Sequence, residues 1–331
     1  MAAWGNYEQL KDPIESKLDV NLEYTNVSSS SKMFSSWNSG ENEQFDLTAP
    51  VPNWVTSFVD ADLVAPLDKD AASNFDSVFD QFKQGQFESQ MTVDGTWYGL
   101  PTRFGWYSYS YDSRELPDDH EESYEALFSP EYEGVNLEDN IIVYDSYDKA
   151  MWMTALYLGY QDSFSGNSVS LSDEQVENVK QTLIDQKEYL GGYISADSSY
   201  ISSFKQGDHI VGQSGRNEIA EMWGQGEDWV KIAQPKEGEL AWTESFVVSK
   251  ESDNQEMAWK VANQYLDPEI GATWVENNAT PSVNPETSEH LSDEANDLYA
   301  IPPERTEGMI PFMKIEGEDR WAAAWEEIKS A

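Results

Sequence analysis

Two rhythms of apolar and polar positions interleave along the chain. Phe45-Asp46-Leu47-Thr48-Ala49-Pro50 reads as a short buried strand ended by proline; apolar residues at helical spacing then run from Trp54 to Val64, until Pro66-Leu67-Asp68 stops them. Gly95 to Pro101 reads as a turn entering a strand, and Phe104 to Tyr111 alternates as a strand does. Asn140 to Val143 predicts another buried strand. From Tyr147 to Leu158 the apolar positions recur at three and four residues, and Gly159 is placed to close that helix with a left-handed cap. Ser172 is a good N-cap for a second helix from Asp173 to Leu190, with Gly191-Gly192 as its terminator. Leu240 to Val248 predicts a strand, Asn254 to Leu266 a helix, Pro268-Glu269 the start of one more, and Trp321 to Lys329 a C-terminal helix. The run Ser28-Ser29-Ser30-Ser31 reads as a surface loop. Strands alternating with helices predict an α/β fold. With no linker rich in proline or serine and no internal repeat, two lobes are expected whose chain crosses between them more than once and leaves a cleft.

Charge narrows the partners. The 331 residues hold 62 Asp and Glu against 20 Lys and Arg, a formal net charge of −42, while 39% hydrophobic and 13% aromatic residues supply enough apolar surface for packed cores. Nucleic acids and anionic lipid surfaces are bound through clustered Lys and Arg, so both fall away as partners. The acids are scattered along the whole chain, which predicts a solvated acidic surface everywhere. Molar salt shrinks the Debye length to about 3 Å and relieves such self-repulsion. The composition therefore reads as that of a halophile, by expectation an archaeon.

Other chemistries find little to work with. The absence of cysteine excludes disulfides, thiolate metal ligands and cysteine nucleophiles. His120, His209 and His290 stand isolated, and neither a phosphate loop nor a Gly-x-Ser-x-Gly elbow occurs, so no metal, no cofactor and no enzyme activity are expected. The longest apolar runs, such as Ile141-Ile142-Val143, are far short of the roughly 20 residues that span a bilayer. Met1-Ala2-Ala3 leads straight into Trp4-Gly5-Asn6-Tyr7 without a secretory signal pattern, so a cytoplasmic protein or a processed form is expected.

Several pieces occur in the order and spacing of one family: Trp4-x-x-Tyr7, Phe45-Asp46-Leu47-x-x-Pro50, Gly99-Leu100-Pro101 followed by Phe104-Gly105, Leu158-Gly159-Tyr160, and Pro235-Lys236-Glu237-Gly238 with Trp242 and Glu244. Together, over essentially the whole chain, they resemble the spermidine/putrescine-binding subunits of ABC importers. The resemblance implies a two-lobed α/β fold of the periplasmic-binding-protein type (type II), with two hinge crossovers, near Trp106 and Glu244, and a ligand cleft between the lobes. It implies residues 1–106 plus 246–300 as one lobe and 107–245 plus 301–331 as the other. The expected role is a monomeric receptor, lipid-anchored or secreted in full-length form, that passes a polyamine or related amine to a membrane permease. In such a cleft aromatic faces attract ammonium groups and carboxylates bind their ends.

Carried over residue by residue, Trp4, Tyr7, Trp242 and Glu244 match, Glu244 replacing the usual aspartate. The family's Asp-x-x-Glu pair falls on Ser146 and Lys149, while Asp145-x-x-Asp148 has the same spacing one residue earlier; either pair is left open as the one facing ligand. The first-lobe tyrosine falls on Asn53 beside Trp54, Phe104 lies in the turn of the cleft aromatics, and a tryptophan-asparagine-glycine stretch is replaced by Ser214-Gly215-Arg216-Asn217. Of only five arginines, Arg103 and Arg216 lie beside the inferred site. Guanidinium groups suit a carboxylate or phosphate, so an anionic or zwitterionic ligand held by Arg103 and Arg216 is the alternative within the importer reading. From another class, a carboxylate-dependent glycoside hydrolase would need two carboxylates about 5–9.5 Å apart.

The charge balance generates a first prediction. The melting temperature climbs steeply with KCl from low to molar concentration, read by circular dichroism; a flat dependence contradicts the halophilic reading.

Overall fold

The computed structural model describes all 331 residues, the side chain of Asp197 excepted. Local chemistry places most element ends. Ser172 Oγ accepts from the Gln175 N–H while the Gln175 side chain accepts from the Ser172 N–H, a reciprocal capping box at the start of the helix Asp173–Gln186. That helix stops short of the expected Leu190. Lys187, Glu188 and Tyr189 instead donate to the carbonyls three residues back, and the Asp139 and Gly191 amides tie the following segment to the strand Ile141–Tyr144 through Tyr189 O and Ile141 O. A Cβ on Gly191 would sit 2.5 Å from Asp139 O, so the close approach requires glycine.

The segment from Trp54 to Val64 is also shorter as a helix than its apolar spacing predicts. A 3₁₀ turn Pro52–Trp54 leads into the helix Val55–Asp60, and left-handed Asp62 lets the Leu63 N–H return to Phe58 O, which closes it. The serine run is corrected outright. Ser29 Oγ caps the helix Ser30–Asn38 by accepting from the Lys32 N–H, and Ser30 Oγ accepts from the Val51 N–H, so the hydroxyls start a helix and anchor a neighbouring turn.

The residues divide into two compact units, Met1–Phe104 with Trp242–Glu307, and Gly105–Ala241 with Gly308–Ala331. In the first, Ala2–Ala3 pairs in parallel with both Thr25–Asn26 and Leu47–Thr48, and Val247 and Val248 of the strand Glu239–Val248 add antiparallel to Thr48 and Leu47. Parallel neighbours need crossovers; the helices Lys11–Leu18 and Ser30–Asn38 supply them. Met33, Trp37, Val55 and Phe58 form one apolar core here. In the second unit Gly192–Ile194, Ile141–Tyr144 and Val211–Gly215 run parallel, and Tyr107 to Tyr111 of the strand Leu100–Asp112 adds antiparallel to Val211–Gly215.

The core of the second unit lies under the helix Tyr147–Tyr157, whose residues from Ala150 to Leu156 are all buried. A helix apolar on every side is stable only inside. The C-terminal helix Glu318–Ser330 buries Trp321 and Trp325 in the same core. Lys180 pairs with Glu327 at 2.7 Å, and Lys187 Nζ donates to the terminal carbonyls of Ile328 and Lys329, where a cation also suits the helix dipole. Among the described residues, no helix is long and apolar enough to cross a membrane.

Ser172→Ala removes one half of the capping box. It is expected to cost about 1 kcal/mol of stability, read as a lowered urea midpoint with an unchanged slope.

Candidate functional site

A buried guanidinium organises the first unit's polar cluster. Arg103 lies on the strand Leu100–Asp112, where Phe104 N–H donates to Pro281 O and Val283 N–H to Thr102 O. That pairing ties Arg103 to the segment following the helix Pro268–Asn278, which carries Trp274. Glu244 comes from the strand Glu239–Val248, and Tyr7 from the 3₁₀ helix Gly5–Leu10. Four segments distant in sequence thus deliver one side chain each.

Arg103 Nε donates to one Glu244 carboxylate oxygen and Nη2 to the other, both at 2.7 Å, and Nη2 also reaches Asn6 Oδ1 at 3.3 Å. The guanidinium carbon lies 4.5 Å from the Tyr7 ring centre and 4.4 Å from that of Trp274. Tyr7 and Trp274 are themselves stacked at 5.5 Å, and Tyr7 shares a 3.0 Å hydroxyl hydrogen bond with Thr102. Arg103 and Glu244 are only 6% and 7% exposed, so their charges are shielded from salt as surface charges are not. Burial pushes the Arg103 pKa down, but Glu244 and Tyr7 outweigh it and leave it above the usual arginine value. Burial first, and then the Glu244 carboxylate, hold the Tyr7 phenol well above its ordinary range, so it stays a neutral hydrogen-bonding group.

The remaining residues expected in the first unit lie in different settings. Trp4 is half-buried and donates its indole N–H to Ala49 O at 2.8 Å. Asn53 and Trp54 are half-buried in the turn before Val55–Asp60, Trp54 tilted against Phe34 at 5.7 Å. Phe104 is fully buried, 4.7 Å from the Phe82 ring centre, and Trp242 is half-buried.

In the second unit Ser146 is the N-cap of Tyr147–Tyr157, and its hydroxyl bonds Asp148. Asp145 is exposed and pairs with Lys329 at 3.0 Å. Lys149 folds over two tyrosines, its ammonium 4.3 Å from the Tyr107 ring centre and 4.1 Å from that of Tyr144. Arg216 opens the helix Arg216–Gly224 and is 1% exposed, its guanidinium carbon 5.9 Å from the Trp106 ring centre and 5.8 Å from that of Trp223.

The geometry therefore brings together Tyr7, Arg103 and Glu244 and adds Trp274, Thr102 and Asn6, which sequence reasoning missed. Trp274 reads in the sequence as a packing residue on a helix, and no local signal pairs it with a strand residue 171 positions earlier. Cation–π contact, bidentate hydrogen bonding and burial make this a cluster built to hold a positive charge. Among the described residues, no group of three or more His, Asp or Glu is arranged to hold a metal ion.

Residues 9–303 match the family of bacterial extracellular solute-binding proteins. The chain belongs to that family. A curated relative, the spermidine/putrescine-binding periplasmic protein of Salmonella typhimurium, is 21% identical to this solute-binding protein over 290 residues, 87% of the chain and 77% of the relative. A crystal structure of the spermidine/putrescine ABC transporter substrate-binding protein of Streptococcus pneumoniae superposes with a TM-score of 0.78 at 18% identity, covering 99% of this chain and 97% of that one. An ABC transporter structure from Clostridium perfringens gives 0.72 at 17% identity, covering 99% and 98%. The fold class is the α/β, type II periplasmic-binding-protein class that the sequence resemblance implied, and the family and fold are those of transport proteins rather than enzymes.

Arg103→Met in this solute-binding protein strands the buried Glu244 carboxylate and is expected to cost about 3–5 kcal/mol. Arg103→Met/Glu244→Leu, which removes both charges, recovers most of that loss. Urea denaturation of the two singles and the double measures the coupling, and additive effects contradict the pairing.

Proposed function

We propose that this solute-binding protein is the extracytoplasmic receptor of an ABC importer for a polyamine or a related amine, which it hands to a membrane permease without covalent chemistry. The observation that carries the reading is the family match across residues 9–303 together with a curated relative that binds spermidine and putrescine and aligns with 87% of the chain. Ring faces beside a carboxylate, as at Tyr7, Trp274 and Glu244, are the groups that recognise alkyl cations, and here they already hold Arg103. Trp4, Trp242, Asn53, Trp54, Asp145 and Asp148 remain proposed ligand contacts, whereas Phe104 is fully buried against Phe82. A monomer, secreted or held by a lipid anchor in its full-length form, fits the family role.

The competing reading, an anion or zwitterion held by Arg103 and Arg216, loses support at Arg103. Its Nε and Nη2 are already committed to Glu244, so the fork that would grip a ligand carboxylate is taken.

A ligand that binds only the folded state raises the melting temperature by mass action. In molar KCl, spermidine, putrescine or a simple alkylamine is expected to raise it saturably, with calorimetry confirming one site and no turnover. A shift confined to dicarboxylates or phosphates overturns the amine reading.

A further inference from the structure

The first unit holds the parts of an amine-binding site, and the chain itself fills it. Tyr7 and Trp274 offer ring faces 4.5 and 4.4 Å from a cation centre, Glu244 receives two charge-assisted bonds at 2.7 Å, and Asn6 offers a carbonyl oxygen at 3.3 Å. Ring faces, a carboxylate and a neutral acceptor are what an external alkylammonium or guanidinium group would require. We infer that Arg103 is a specificity-determining residue: a resident cation occupying a box that otherwise binds the cationic end of an alkyl ligand, so that the protein selects ligands with one cationic group fewer than a linear polyamine. The selectivity statement rests on the amine-receptor reading above; the existence of the box does not.

Two features make the box addressable. Arg103 borders a small cavity, lined also by Tyr7, Thr102, Tyr265, Trp274 and Ser282, that admits about one water. Truncating Arg103 therefore enlarges an existing void. The guanidinium is matched in charge by Glu244, so the void left behind is a template for a guanidinium on a short alkyl stem. What remains in it is a carboxylate that has lost its partner, and a small cation can restore that partner from solution.

The test is chemical rescue. Arg103→Ala is titrated with ethylguanidinium, n-butylammonium and the neutral isostere ethylurea at millimolar concentrations in molar KCl, alongside wild type and Arg103→Ala/Glu244→Gln. Ethylguanidinium is expected to raise the melting temperature of Arg103→Ala saturably and by more than that of wild type, with ethylurea inert and the double variant at least tenfold weaker. If Arg103→Ala does not fold unaided, ethylguanidinium should restore its circular dichroism spectrum while the double variant folds without help. A folded Arg103→Ala that ignores both cations, or an unfolded one that neither rescues, overturns the box. For selectivity, the affinity of Arg103→Ala for putrescine relative to n-butylamine should rise at least tenfold over the wild-type ratio; an unchanged ratio with a working rescue overturns the selectivity role alone. Failure of wild type to bind any amine tells against the receptor reading and leaves the rescue result standing.

Discussion

The buried pairing of Arg103 with Glu244 is the constraint around which the first unit's polar interior is arranged. Taking two charges out of water is costly, and only good geometry with further polar contacts offsets it. The structure supplies both: two 2.7 Å bonds, a third contact at Asn6, and two ring faces against the guanidinium. Because those partners come from residues 6, 7, 244 and 274, satisfying one guanidinium fixes the mutual positions of the N-terminal 3₁₀ helix, two long strands and the helix Pro268–Asn278. An apolar core tolerates small shifts among such elements; a bidentate ion pair does not, since its energy falls steeply with distance and angle.

Local chemistry made much of the fold legible. The Ser172 box, the left-handed Gly159 and the helical spacing of apolar positions from Tyr147 to Leu158 each declare an element or its end without reference to distant residues. What was illegible depended on tertiary partners. Residues 187–189 carry no breaker, yet they leave the helix because the amides of Asp139 and Gly191 pull the following segment onto the strand Ile141–Tyr144. Ser28 to Ser31 resembles a loop by composition, but Ser29 sits where a cap is needed. The site divides the same way. Tyr7 and Glu244 could be picked out through the family spacing, whereas their engagement by Arg103 and Trp274 needed coordinates, because no rule of spacing joins residues 7, 103, 244 and 274.

Basic side chains are scarce in this chain, 20 against 62 acids, and where they sit is informative. Several are laid on aromatic rings: Arg103 on Tyr7 and Trp274, Lys149 on Tyr107 and Tyr144, Arg114 on Trp229, and Lys329 on Tyr193 beside Asp145. An exposed ion pair contributes little and less still in strong salt. A cation on a ring face draws on contact and desolvation, which screening by mobile ions weakens far less. The arrangement leaves these few cations less sensitive to added salt than exposed ion pairs would be.

The same argument bears on how a ligand is recognised. A polycation approaching a highly acidic protein in dilute solution would be drawn by the whole surface and bound with little regard for its shape. In molar salt, where the Debye length is near 3 Å, that long-range pull vanishes and discrimination falls to groups in direct contact. Two of the aromatic clusters, at Tyr7 with Trp274 and at Tyr107 with Tyr144, already carry the chain's own cations. At the first of these the nearby carboxylate is neutralised as well. An incoming ammonium group would have to displace a guanidinium held by a bidentate pair and two rings, which a freely hydrated amine cannot do without leaving Arg103 buried and unpaired. The packing of the first unit thus keeps one aromatic and carboxylate cluster occupied by the chain's own cation, where salt has little access to it.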